Sequence, residues 1–134
     1  LEKMVFDLNF PIKMIIGPIK RESDGLAMSS RNKHLSEKER KDALALYSSL
    51  QKCEEILKSG ENKAEKIIAE MTSVIKSGNP TKIDYISVVN YEDLQPVSYI
   101  QSKSVIAVAA FWGTTRLIDN MIVHVDGSSY KFIY

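Results

Sequence analysis

Two serines and an arginine stand side by side in a polar stretch near the start of the chain. Ser29 and Ser30 carry hydroxyl donors, and Arg31 carries a planar fork of N–H donors. This donor set matches the oxygens of a phosphate chain. The preceding Asp24-Gly25 pair is typical of a turn, which can aim backbone N–H groups at the same anion. The residues suggest an anion site, although a plain polar turn with Arg31 in a surface ion pair explains the composition at least as well.

The other side chains capable of chemistry favour structural roles. Arg21 and Glu22 adjoin the polar stretch, where an ion pair that braces its base is expected in preference to catalysis. Cys53 falls on the apolar stripe of a helical pattern, so we expect a buried thiol. His34 and His124 alone would lack a third protein ligand, so no metal site is expected.

Charge and cysteine content narrow the class of protein. The 134 residues include 18 Lys+Arg and 17 Asp+Glu, a formal net charge of +1. Binding to nucleic acid or to anionic lipid normally needs a concentrated basic excess, so neither a nucleic acid nor a membrane is expected as a partner. The one cysteine excludes an internal disulfide and fits a reducing, cytoplasmic location.

The elements before the serine-arginine stretch are typical of part of a parallel α/β sheet. Apolar residues at positions 1, 4, 5 and 8 have helical spacing, and Asn9 and Pro11 end that helix. Ile12–Ile16 is a short apolar run that predicts a buried strand. Because one strand cannot form a sheet alone, we expect its neighbours to lie in sequence outside this chain. The polar residues 19–35 then form a long loop after a strand, a usual place for a ligand.

Two helices and three strands are predicted for the remainder. Ser36 begins an S-x-x-E capping box, and apolar residues at helical spacing continue as one long helix until Ser59-Gly60. A second helix follows and ends before Gly78. The three strand-like runs are Ile83–Val89, Ser104–Trp112 and Leu117–Val125. The short Gly113-Thr114-Thr115 connection favours a hairpin. The sequence therefore predicts an α+β fold with a small three-stranded antiparallel sheet, covered on one face by the helix pair.

Two long segments also resemble the signature of a known family. Residues 18–32, PIKRESDGLAMSSRN, are similar to a P-I/T-x-R-E-x-D-G-L-A-x-S-S-R-N stretch of the pantoate-beta-alanine ligase (pantothenate synthetase) family. Residues 113–121, GTTRLIDNM, are similar to its closing G-x-T-R-L-I-D-N segment, and IDYISVVNYEDLQPV resembles a strand that lies between them. The order and the intervening helices agree across nearly the whole chain. By this resemblance Arg116 and Asp119 are expected to be structural.

The resemblance implies a C-terminal portion of a larger enzyme. Family members carry an N-terminal Rossmann-like domain with an H-x-G-H-type nucleotide motif, which does not occur in these residues. Residues 1–34 would then be the end of that ATP-binding domain, including its last helix and strand and the serine-arginine loop. Residues 35–126 would be the C-terminal lid domain, and 127–134 a tail whose order the sequence leaves open. A chain of this extent is expected to be inactive alone.

The resemblance also implies a reaction and its ligands. The family condenses pantoate and beta-alanine to pantothenate through a pantoyl adenylate, releasing AMP and pyrophosphate, with Mg²⁺ accompanying the ATP. It implies that Lys20, Met28, Ser29, Ser30 and Arg31 bind ATP, and that Arg31 is the catalytic residue. Valine is frequent in the family at the position of Lys20, so a backbone contact is expected there. The full-length protein is expected to be a homodimer.

A second hypothesis comes from a different class of protein. The same α+β unit can act as a non-catalytic module that binds a ligand or another protein. An N-terminal half encoded in the same gene would favour the ligase, because adenylation needs residues that this chain lacks.

Overall fold

An antiparallel sheet and a layer of helices make up most of the molecule. The computed structural model describes residues 2–15, 17–127 and 129–134. The helices are α1 (Glu2–Asp7), α2 (Glu37–Asp42), α3 (Ala45–Lys58) and α4 (Ala64–Ser77), with a 3₁₀ helix at Ser30–His34. The strands are β1 (Lys82–Asn90), β2 (Ser104–Trp112), β3 (Thr115–Asp126) and β4 (Ser129–Ile133). The predicted α+β class is confirmed, and no helix among the described residues is long and apolar enough to cross a membrane.

The sheet has four strands in the order β1-β2-β3-β4, so the prediction of three strands is wrong. The fourth strand comes from the tail, in which every second residue from Tyr130 to Tyr134 is aromatic. In the register of β3 with β4, Phe132 lies opposite Val123 and Tyr130 opposite Val125. Both aromatic rings pack against the core, and their burial stabilises the added strand. The predicted hairpin is confirmed, because Trp112 pairs with Thr115 across a two-residue turn.

The core lies between one face of the sheet and the pair α3 and α4. The helical stripe predicted from the sequence points inward, and the strand residues that face it alternate with exposed ones. The fully buried side chains that fill this layer include Leu46, Leu50, Leu57, Ile67, Met71, Ile75, Ile106, Val108, Trp112, Met121 and Val123. The inward-facing residues of β3 are therefore buried, and they are available to pair with residues that pack at the edge of the sheet.

The long helix predicted after Ser36 is in fact two helices. The capping box forms as predicted, since Ser36 Oγ accepts the Glu39 N–H and the Glu39 carboxylate accepts the Ser36 N–H. The helix then breaks between α2 and α3, at the point where it packs against the end of α4. A Cβ on Gly78 would lie 2.3 Å from the Asp42 main-chain oxygen and 2.5 Å from Ala45 Cβ. This tertiary packing overrides an apolar spacing that continues through the break.

Residues 2–15 contain the predicted helix but no strand. α1 forms, whereas residues 12–15 of the predicted strand Ile12–Ile16 have irregular backbone and residue 16 lies outside the described residues. A strand needs a partner for its backbone groups, and no other strand of the described chain lies beside this run. Large apolar side chains are left in solvent here: Phe6 is 84% exposed and Ile15 is 83% exposed.

We predict that residues 2–15 exchange their amide hydrogens at least about 100-fold faster than Val105–Val108, because local opening is easy where few apolar groups are buried. The amides of β2 lie between two paired strands, whereas α1 is six residues long and has no buried residue. Hydrogen exchange followed by NMR measures both regions at once. Equal protection of the two regions would show that the N-terminal segment packs more firmly than its exposure indicates.

Candidate functional site

The polar stretch before the serine-arginine turn folds into a short hairpin. The Glu22 N–H donates to the Leu26 oxygen at 2.8 Å, and the Met28 N–H donates to the Lys20 oxygen at 2.9 Å. Gly25 forms the bend with a φ of 99°, a conformation that glycine adopts without steric cost. The sequence predicted a loop without structure here, and the local backbone bonds correct that prediction. We call residues 20–28 the site hairpin.

A two-pronged ion pair attaches the site hairpin to the sheet. Arg21 Nη1 and Nη2 donate to the two carboxylate oxygens of Asp119 at 2.7 and 3.0 Å. The two side chains are 12% and 2% exposed, so the pair is held away from water. The guanidinium also donates to the Gly25 oxygen at 3.1 Å and lies over the Tyr47 ring, 4.2 Å from its centroid. Arg21 therefore joins the hairpin, α3 and β3 at one point.

Arg40 of α2 binds both acids of the site hairpin. Its Nη1 lies 2.9 Å from Asp24 Oδ2, and its Nη2 lies 3.7 Å from Glu22 Oε2. The hydrogen bond from Arg40 holds the pKa of Asp24 below its usual range. Both carboxylates are thereby committed to a structural cation, in agreement with the bracing role predicted for Glu22.

The serine-arginine turn is fixed to the hairpin through a cap and a buried amide. Ser29 Oγ accepts the Arg31 N–H at 3.2 Å and caps the 3₁₀ helix, which leaves its own hydroxyl hydrogen free for another acceptor. Asn32 is buried, and its Nδ2 donates to the Ala27 oxygen at 3.1 Å and to Glu22 Oε1 at 3.3 Å. The positions of Ser29 and Arg31 therefore follow the position of the hairpin.

A cleft of about 280 Å³ lies between the site hairpin and the first half of β3. On the edge of β3 opposite β2, β4 pairs only with Ile122–Asp126, so the earlier part of that edge is bordered by the hairpin. The residues that line the cleft are Ile19, Leu26, Ala27, Met28, Ser29, Arg31, Asn32, Arg116, Leu117, Ile118, Asp119 and Asn120. Of the five residues that the sequence suggested for ATP, Met28, Ser29 and Arg31 line this cleft. Ser30 lies in a neighbouring depression with Lys33 and Arg40.

Lys20 contributes its backbone rather than its side chain to this arrangement. Its main-chain oxygen accepts the Met28 N–H, while the side chain is exposed and does not line the cleft. Sequence reasoning missed several residues that build the site, namely Arg40, Asn32, Tyr47, Ile118 and Tyr134. Asn32 and Ile118 lie inside the two segments that carry the family resemblance, and Arg40 follows the capping box in α2, but no sequence pattern pointed to Tyr47 or Tyr134.

Arg31 is the uncommitted cation of the cleft. Its side chain is exposed, and no carboxylate within the described ranges pairs with it. Arg116, the other arginine of the cleft, is engaged instead by Asp84, with 2.8 Å between Nη2 and Oδ2. A free guanidinium beside a free hydroxyl at the mouth of a partly apolar cleft suits an anion that carries an apolar group.

The remaining reactive groups stay outside the cleft. Cys53 is fully buried, and burial raises the pKa of its thiol to about 12, so it remains a protonated packing residue as the sequence predicted. Within the part of the chain that the structure describes, no three His, Cys, Asp or Glu side chains come together as a metal site.

The fold and the cleft define a small α+β unit with a donor-rich turn at a sheet edge, and comparison with known proteins gives its family. The family model for pantoate-beta-alanine ligase matches residues 1–122. The chain belongs to that family. It is 50% identical over 122 residues to the pantothenate synthetase of Thermoanaerobacter sp. strain X514, a match that covers 91% of this chain and 43% of the relative.

Solved structures agree with this assignment. The pantothenate synthetase of Thermus thermophilus superposes with a TM-score of 0.82 at 36% identity, over 89% of this chain and 43% of that one. A pantoate-beta-alanine ligase from Francisella tularensis, solved in complex with beta-gamma ATP and beta-alanine, gives a TM-score of 0.54 at 26% identity, over 89% of this chain and 36% of that one. The chain thus spans less than half the length of these relatives.

Replacing Gly25 by alanine tests how tightly the site hairpin is packed. A Cβ at Gly25 would lie 2.4 Å from Cδ1 of Tyr47, the ring that stacks on Arg21, and the φ of +99° adds backbone strain. Gly60 is a matched control, because its φ is +94° but a Cβ there would meet nothing within 4 Å. We predict that Gly60→Ala lowers the free energy of unfolding by about 1 kcal/mol and Gly25→Ala by a further 1–3 kcal/mol, roughly the cost of overpacking. Urea unfolding measures both, and equal losses would mean that the ring moves aside freely.

Proposed function

We propose that this chain is the C-terminal part of an ATP-dependent ligase that joins pantoate to beta-alanine and forms pantothenate. In this reaction the carboxylate of pantoate attacks the α-phosphorus of ATP, pyrophosphate leaves, and a pantoyl adenylate remains. The amine of beta-alanine then displaces AMP from the acyl carbon. Family membership supports this proposal, as does the Francisella relative, which was solved with beta-gamma ATP and beta-alanine.

The cleft between the site hairpin and β3 is the observation that carries the proposal. Met28 gives it an apolar contact for a base, while Ser29 and Arg31 give donors for phosphate oxygens. Negative charge grows on the departing pyrophosphate, and donors that are already aimed at that position lower the barrier. We assign this role to Arg31, because its guanidinium is exposed and unpaired among the described residues while both hairpin acids are held by Arg40.

The other residues suggested by the sequence are expected to contribute to ATP binding to different extents. The Lys20 backbone lies beside Met28 and would border the base, with the Lys20 side chain in solvent. Ser30 begins the 3₁₀ helix and lines the neighbouring depression rather than the cleft, so it would reach phosphate oxygens only if the ligand extends beyond the cleft. We expect Ser29 to matter more than Ser30 for ATP binding.

Magnesium would arrive with the nucleotide. The carboxylates of the site hairpin, Glu22 and Asp24, both lie against Arg40, so they suit a structural role better than a metal cage. A divalent ion held by the phosphates needs few protein ligands and neutralises charge on the leaving group. In the binding step itself, Ser29 and Arg31 would orient the phosphate chain that carries the ion.

The rest of the enzyme would supply what these residues lack. We propose that 1–34 ends a Rossmann-like ATP-binding domain, that 35–126 is a lid, and that the intact protein is a cytoplasmic homodimer. The exposed apolar side chains of residues 2–15 support a covering domain there, since such groups are normally buried. The chain by itself should therefore fold without catalysing adenylation.

Arg31→Ala in the intact protein should slow adenylate formation by about 10²–10³-fold, the loss typical of one preorganised donor at a developing charge. Arg31→Lys should recover only part, because an ammonium keeps the charge but loses the planar fork. Transfer from preformed pantoyl adenylate to beta-alanine makes no use of pyrophosphate contacts, so that step should be nearly unchanged. Single-turnover kinetics of each half-reaction measures both rates.

The same experiment separates the proposal from its alternatives. Equal losses in both half-reactions would mean that Arg31 organises the turn or the domain closure rather than the leaving group. If the intact wild-type protein forms no adenylate with ATP, Mg²⁺ and pantoate, the ligase proposal fails. A non-catalytic ligand-binding or protein-interaction module would then be the better description.

A further inference from the structure

The C-terminal strand lies beyond the segment that the family model matches. That match covers residues 1–122, whereas β4 covers Ser129–Ile133. The strand does more than extend the sheet, because the residue after it reaches the site hairpin. The Ile19 N–H, just before the hairpin, donates to the main-chain oxygen of Tyr134 at 3.0 Å. One end of the hairpin is thus attached to the end of the sheet.

The Tyr134 side chain closes an aromatic box around Arg21. The guanidinium carbon of Arg21 lies 4.2 Å from the centroid of the Tyr47 ring and 5.5 Å from that of the Tyr134 ring. The two rings meet edge to face, with centroids 5.6 Å apart and planes at 71°. Both rings therefore hold the guanidinium over their electron-rich faces while its N–H groups bind Asp119.

A hydrogen bond holds the Tyr134 ring in this orientation. Its hydroxyl donates to the Glu54 carboxylate on α3, and Lys58 donates to the other oxygen of that carboxylate at 2.5 Å. Burial, together with the Glu54 charge, raises the pKa of Tyr134. Partial burial opposes ionisation of Glu54, but the bonds from Lys58 and Tyr134 outweigh it and lower its pKa. The neutral phenol and the charged carboxylate are thus the stable pair across the physiological pH range.

We propose that Tyr134 is a positioning residue for ATP: by fixing Arg21 and the start of the site hairpin, it sets where Ser29 and Arg31 stand. The expected effect on ATP binding rests on the proposed function. The expected effect on the position of the hairpin rests only on the contacts described above. Tyr134 is not among the residues that line the cleft, so it would act through its contacts with Arg21 and Ile19. β4, which lies outside the matched family segment, would then hold the nucleotide-binding turn in place.

Tyr130 supplies a matched control on the same strand. It is also a partly buried tyrosine packed against the core, and its ring stacks near Phe132 rather than near Arg21. Tyr130→Leu and Tyr134→Leu make the same change at two partly buried tyrosines, but only the second opens the aromatic box. Tyr134→Phe keeps the ring over Arg21 and removes only the bond to Glu54.

The experiment measures hairpin protection and nucleotide use in the same variants. Amide exchange at Ile19 and Met28 in the 134-residue chain should speed up about 10-fold in Tyr134→Leu and at most about 3-fold in Tyr134→Phe, the range expected for losing a cation–π contact or one hydrogen bond. In the intact protein, ATP–pyrophosphate exchange should show a KM for ATP raised about 5–10-fold in Tyr134→Leu. Tyr130→Leu should move neither readout, even if it lowers the melting temperature as much as Tyr134→Leu does.

Each result decides between this positioning role and simple packing. If both leucine variants speed exchange at Ile19 and Met28 equally, or if neither does, the positioning role is overturned. If exchange changes as expected but the KM for ATP stays constant, the hairpin position does not control the nucleotide, and the proposal is again overturned. A wild-type protein without ATP–pyrophosphate exchange would instead refute the ligase function, while the amide data would still decide whether Tyr134 holds the hairpin.

Discussion

The buried ion pair between Arg21 and Asp119 is the constraint on which the site depends. Asp119 lies on the inward face of β3, among the apolar residues of the core, where an unpaired carboxylate would be costly. Its charge is balanced only by bringing Arg21 to the sheet edge, and with Arg21 comes the whole site hairpin. A buried pair of this kind adds little net stability compared with apolar residues, but removing one partner is expensive. Its effect is to allow one position for the hairpin and to penalise the others.

The electrostatics of the cleft follow from that anchoring. Asp119 is bound by Arg21, and Arg40 is shared between Glu22 and Asp24, so every carboxylate at the hairpin already has an arginine partner. Arg31, in the 3₁₀ helix that follows the hairpin, has no carboxylate partner among the described residues and is therefore available to an anionic ligand. The same logic explains why the capping box matters beyond helix stability: it starts α2 at the register that points Arg40 toward the hairpin acids. The capping box of α2 thus affects the charge of the site, because it helps to place Arg40 against Glu22 and Asp24.

Features that depend on neighbouring residues were predictable from the sequence, whereas long-range pairing was not. Short patterns predicted the capping box at Ser36, the helix that became α4, and strand β2, and all three form where those patterns indicate. Arg21 and Asp119 are 98 residues apart, and no local pattern links them. Their pairing is a property of the packed sheet, as is the break between α2 and α3. The residue types of the turn suggested an anion site, and the family resemblance suggested ATP. That residues of β3 form one wall of the cleft could be seen only from the folded structure.

The sequence predicted a strand near the start of the chain that does not form and gave no strand near its end where one does form. Both differences have the same physical reason. Ile12–Ile16 has strand-like composition, yet residues 12–15 form no strand, because a strand exists only beside another strand. The tail after Gly127 is short and gave no firm signal, yet Ser129–Ile133 forms β4, because the edge of β3 is available to it. In both places a strand forms only if the edge of another strand is free to pair with it, and amino-acid composition does not predict where such an edge lies.

A double-mutant cycle on Arg21 and Asp119 measures whether this ion pair holds the site hairpin on the sheet. The free energy of unfolding would be measured for Arg21→Met, Asp119→Asn and the double variant, with Arg116→Met, Asp84→Asn and their double as the exposed control pair, whose side chains are 42% and 30% exposed. We predict a coupling of about 2 kcal/mol or more for the buried pair, against less than about 1 kcal/mol for the exposed pair. Additive losses for Arg21 and Asp119, within about 0.5 kcal/mol, would contradict it, because the hairpin would then be held by something other than this pair.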